Sequence, residues 1–75
     1  MSKSLFELRL GQSSYISHLE GDQFLIDRLM DMGIHSGVEI ELVARMPLGG
    51  PFVLRVESSF MALREEEAKC LQIKI

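Results

Sequence analysis

From Val38 to Ala44 the chain alternates, with Val38, Ile40, Leu42 and Ala44 on one side and Glu39, Glu41 and Val43 on the other. A period of two predicts a strand with one wet face. Phe52, Leu54 and Val56 alternate with Val53, Arg55 and Glu57 and predict a second strand antiparallel to it. The five residues Pro47, Leu48, Gly49, Gly50 and Pro51 between them suit a hairpin loop. Glycine permits positive φ at a tip, and proline stiffens entry and exit. Residues 60–64 predict a third strand after a turn at 57–59, and residues 71–75 another with plain alternation. Residues 15–19, bounded by Gly11 and Gly21, predict the first strand, while residues 4–10 suit a short turn-like or helical piece.

One stretch changes period. Leu25, Leu29 and Met32 fall at i, i+4 and i+7, Ile26 and Met30 widen the stripe, and Asp27, Arg28 and Asp31 fill the other face. The spacing predicts a helix over residues 23–32. Asp22 can cap its first turn, Gly33 suits the left-handed position after its end, and Ile34 can fold back on the last turn. A helix must pack somewhere, so at least one of Met30 and Met32 is expected in the core. Residues 65–70 predict a short acidic helical turn, its Glu65, Glu66 and Glu67 favoured by the helix dipole. About five antiparallel strands and one helix after the first strand describe a mainly β chain, a small bent barrel rather than a sandwich.

Seventy-five residues make a single domain, residues 1–75, with little core to spare. The formal charge of −3 argues against a phosphate-backbone binder, so no nucleic-acid partner is expected. The lone cysteine, Cys70, forms no internal disulfide, and a reducing, cytoplasmic setting is expected. The first residues lack the apolar stretch of a signal peptide, and no run approaches the ~20 residues of a membrane span.

Reactive chemistry finds little footing. Cys70 lies between Lys69 and Leu71 and reads as a small buried hydrophobe. His18, His35, Cys70 and Glu65–Glu67 could supply metal ligands, yet they share no site-like spacing, and both histidines read as solvated or packed singly. No catalytic, cofactor or metal residue is assigned, and no enzyme is expected. Met46 and Leu48 are different, because they flank a hairpin tip where a core role is hard to arrange.

The order of several short pieces resembles the FeoA family of bacterial ferrous iron uptake and the related SH3-like C-terminal domain of DtxR-type iron repressors. The pieces are Leu29-Met30-Asp31-Met32-Gly33-Ile34, Gly37-Val38-Glu39-Ile40 and Pro47-Leu48-Gly49-Gly50-Pro51. They continue as Ala62-Leu63-Arg64, Glu67-Ala68 and Leu71-Gln72-Ile73, with Leu8, Gly11 and Ile16 upstream. Ser36 stands where the family often has proline and Ser58 where it often has glycine, which bears on two turns and not on the hairpin loop. The resemblance implies an SH3-like barrel with a helix inserted after the first strand. It also implies assistance to FeoB, the membrane ferrous iron transporter with a cytosolic GTP-binding portion.

The reading that follows is a protein-protein adaptor or regulator of that transporter, with Met46, Leu48, Gly49, Gly50 and Val53 as candidate partner-binding residues. The competing packing for Leu48 is a fold back over the open barrel end. Two other functions compete: direct ferrous or transition-metal binding, through the two histidines and the glutamate turn, and a freestanding SH3-like regulatory domain.

Overall fold

The computed structural model describes residues 2–74. Six strands form one antiparallel sheet: β1 (Ser2–Ser4), β2 (Ser13–Leu19), β3 (Glu39–Arg45), β4 (Phe52–Val56), β5 (Ser59–Leu63) and β6 (Leu71–Lys74). A 3₁₀ turn, Leu5–Glu7, follows β1; helix α1 (Gln23–Asp31) follows β2, and the four-residue α2 (Glu65–Ala68) precedes β6. The spatial order is β1-β6-β2-β3-β4-β5, with neighbours antiparallel throughout. The chain is mainly β with one principal helix, as its alternation predicts, but it has one strand more. Ser2 to Ser4 pair with Lys74 to Gln72, contacts that three residues of sequence cannot announce.

The sheet curls round a core of Leu5, Ile16, Leu29, Ile34, Ile40, Leu42, Leu54, Leu63 and Leu71, each inaccessible to solvent. Alternation along β4 is complete, since Phe52, Leu54 and Val56 are buried while Val53 and Arg55 are half-buried on the outer face. There Arg55 Nε donates to Glu41 Oε1 at 3.0 Å, an ion pair between register partners on β4 and β3. The alternation of β3 fails at one place. Leu42 pairs with Leu54 but Ala44 pairs with Val53, so Val43 is an extra residue bulged to solvent.

Helix α1 begins and ends as its sequence dictates. Asp22 Oδ1 accepts from the Phe24 amide at 2.8 Å. At the other end Gly33 has φ +91, with its amide donating to the Met30 carbonyl and that of Ile34 to the Leu29 carbonyl, each at 3.0 Å. These two bonds form a Schellman motif, and they bring Ile34 under Leu29 in the core. The packed stripe is narrower than expected: Leu29 alone is buried, Leu25 and Ile26 are half-buried, and Met30 and Met32 are exposed. The expectation that a methionine of α1 enters the core is therefore wrong. A nine-residue helix laid against a curved sheet touches it along one line, and Met30 and Met32 flank that line.

The acidic turn is shorter than expected, Glu65–Ala68. Glu67 reaches back to accept from the Arg64 amide at 2.8 Å, the return half of a capping box, while arginine has no acceptor to supply the other half.

Candidate partner-binding loop

The hairpin between β3 and β4 is built on a rigid base. Arg45 Nη2 donates to the carbonyls of Phe6 at 3.1 Å and Leu8 at 3.2 Å, and its guanidinium stacks over the Phe52 ring, 5.2 Å from the centroid. Phe52 packs on Phe6 with centroids 5.0 Å apart. Beyond that base the Met46 amide donates to the Pro51 carbonyl at 3.1 Å, and Pro51 has no N–H with which to return the bond. The free loop is thereby reduced to four residues, 47–50.

The Gly50 amide donates to the Pro47 carbonyl at 3.2 Å, and the two residues between them both have positive φ, Leu48 at +58 and Gly49 at +75. Two consecutive positive φ values are the signature of the type I′ turn, whose twist matches that of paired strands. The two glycines thus differ in purpose. Gly49 supplies backbone freedom, whereas Gly50 supplies space: a Cβ there would lie 2.6 Å from the Met46 Cβ and 3.2 Å from the Pro47 carbonyl oxygen.

Leu48 occupies the position that turn chemistry would give to asparagine, aspartate or glycine. Its exposure is 103%, so it stands clear of the protein, and a fold back over the barrel end is excluded. Met46, 42% exposed, lies at the foot of the same turn. Val53 is half-buried on the outer face of β4, between Ala44 and Ala62 in the register. The loop therefore carries apolar surface at its tip and foot, while Val53 belongs to the sheet face beneath.

The histidines, expected to stand singly, line one groove. His18, Leu19, Ile26, Met30, His35 and Ser36 enclose about 210 Å³ between β2, α1 and the turn after α1. His18 Nε2 is 3.0 Å from Glu20 Oε2 and its Nδ1 is 3.1 Å from Ser17 Oγ, while His35 Nδ1 is 3.1 Å from the Ser36 carbonyl. Among the described residues no three of His, Cys, Asp and Glu converge as metal ligands. The residues lie far apart in sequence, so only the Schellman turn after α1, which swings His35 back toward β2, could have signalled the groove. Cys70 is buried, with Sγ 3.6 Å from the Glu66 carbonyl. Burial pushes its thiol above the ordinary value, and the nearby carboxylates of Asp22 and Glu67 push it the same way.

A family model of the FeoA domain matches residues 3–75. The chain belongs to the FeoA family. Its fold is that of solved FeoA structures. It superposes on a FeoA-like protein from Clostridium acetobutylicum with a TM-score of 0.87 at 27% identity, covering 99% of this chain and 86% of that one. Iron(II) transport protein A from Clostridium thermocellum gives 0.86 at 33% identity over 97% of this chain and 45% of that one. FeoA from Stenotrophomonas maltophilia, solved with zinc and described as a prokaryotic SH3 domain protein and candidate ferrous iron transport activating factor, gives 0.79 at 29% identity. That alignment covers 99% of this chain and 89% of that one. A manganese-dependent transcriptional repressor shares the fold alone, at 0.87 and 16% identity, over 96% of this chain and 40% of that one. No curated protein sequence matched the chain. The barrel is SH3-like, and the family is linked to ferrous iron transport. Among the described residues no helix is long and apolar enough to cross a membrane.

Proposed function

We propose that this FeoA-family chain is a cytoplasmic accessory protein of ferrous iron uptake that docks on the cytosolic portion of a FeoB-type membrane transporter and regulates it. The observation that carries this reading is Leu48, an apolar side chain held wholly in water on a left-handed backbone. Such a backbone costs a leucine roughly 1–2 kcal/mol, and the exposed side chain recovers none of it within the chain. A partner pocket that takes up the leucine would return about 1.5–3 kcal/mol. The rigid base at Arg45 and Phe52 supports the same role, because a tip that is already ordered loses little entropy on docking.

The test is binding of the purified transporter's cytosolic portion to the chain and to Leu48→Gly and Leu48→Glu, each checked for unchanged folding. Both variants should lose affinity, Leu48→Glu by at least about tenfold. Affinity unaltered in both would remove the loop from the interface. The partner's GTP hydrolysis, measured with and without the chain, separates regulation from simple tethering.

A further inference from the structure

The sheet has two edges, and they are treated differently. β1 is three residues long and carries Lys3, the kind of short, charged strand with which proteins blunt an edge. β5, at the other edge, is Ser59-Phe60-Met61-Ala62-Leu63, with no charge and no proline. Its register with β4 runs unbroken from Phe52↔Leu63 to Val56↔Ser59, so no bulge twists it away. Leu63 and Met61 turn toward the core, while Phe60, 67% exposed, and Ala62 face outward. One backbone edge of β5 is used by β4 and the other faces away from the sheet.

We infer that β5 is a homotypic pairing edge, taking β5 of a second copy of this chain in an antiparallel, two-fold arrangement centred on Met61. The sequence of the strand is self-complementary in that register. A two-fold axis at Met61 sets Phe60 of each copy opposite Ala62 of the other, a ring over a methyl group, and Ser59 opposite Leu63. Because the strand is uncharged, no like charges are brought face to face along it. Just past its ends the register sets Arg64 opposite Ser58 and Glu65 opposite Glu57 of the other copy, so the pairing stops at the five residues of the strand. Five residues of edge bury less than the roughly 800 Å² per partner of a stable complex, so the pairing is weak and shows only at high concentration.

The experiment is sedimentation equilibrium of the full chain from about ten micromolar to two millimolar, with amide hydrogen exchange at both extremes. The weight-average mass should climb toward twice the monomer value, and the amides of β5 should exchange more slowly in the concentrated sample. Ala62→Lys, at an exposed position, should keep the fold and raise the dissociation constant at least about tenfold, as should Phe60→Lys. Leu48→Glu should leave it unchanged. A monomer throughout that range would overturn the inference. So would a dimer indifferent to Ala62→Lys and Phe60→Lys, or one abolished by Leu48→Glu alone.

Discussion

The guanidinium of Arg28 on α1 lies 3.8 Å from the carboxylate of Glu67 on α2, an exposed cation facing a buried anion and joining the two helices. The Arg28 side chain is 60% exposed, so the pair itself adds little. Glu67 matters more as the acceptor for the Arg64 amide. Glu67→Ala should lower stability by about 1–2 kcal/mol, because it strips the cap and leaves a donor unmet. Glu67→Gln keeps an acceptor oxygen and should lose less than half as much. Urea unfolding of the two variants beside Arg28→Ala measures the contrast.

The tip of the β3–β4 hairpin separates two effects that core leucines confound. Leu48→Gly relieves a left-handed leucine and raises the entropy of the unfolded chain by a similar amount, so thermal unfolding should stay within about 0.5 kcal/mol of the parent. Leu29→Ala in the core should cost about 2–5 kcal/mol. Gly50→Ala, whose new methyl meets the Met46 Cβ, should cost about 1–3 kcal/mol by displacing the loop backbone.

At the end of α1, a Cβ on Gly33 would meet nothing within 4 Å. Gly33→Ala should therefore lose only the conformational cost of φ +91, about 1 kcal/mol, with no repacking. Chemical denaturation gives the value, and an unchanged spectrum of core methyl groups gives the absence of repacking.

Cys70 makes the chain sensitive to alkali. Its folded thiol titrates above the unfolded one, whose ordinary value is 9.0, so the folded state holds the proton longer. Below that value both states are protonated and the thiol contributes its full share. As pH rises from about 9 the unfolded state ionises first, and stability is lost until the folded thiol also titrates. Unfolding free energies from pH 7 to 11 should fall less steeply for Cys70→Ala than for the parent. A thiol reagent should react with native Cys70 far more slowly than with the denatured chain.

What the sequence disclosed and withheld follows the range of the interactions. The caps of α1, its Schellman turn and the β3–β4 hairpin each rest on residues within a few positions of one another, and Asp22, Gly33 and Pro47 announce them. β1 was hidden because its partner lies at the other end of the chain, and three residues show no period. The Val43 bulge was hidden by an alternation that continues smoothly through it. At the loop, glycine spacing marked the turn, but nothing local distinguished Gly49, needed for its φ, from Gly50, needed for its lack of a Cβ. The exposure of Leu48 became visible only once the barrel end beneath it was in place.

The position of β6 governs when this fold can exist at all. It slots between β1 and β2, completing two seams of the sheet in one step. Until β6 docks, β1 has no partner in the sheet and β2 is paired on one side alone, with β3. Both seams join strands far apart along the chain, so closure of the sheet waits on β6. A nascent chain stalled just before Leu71 should stay sensitive to protease, and one carried past Lys74 on a tethering tail should become resistant.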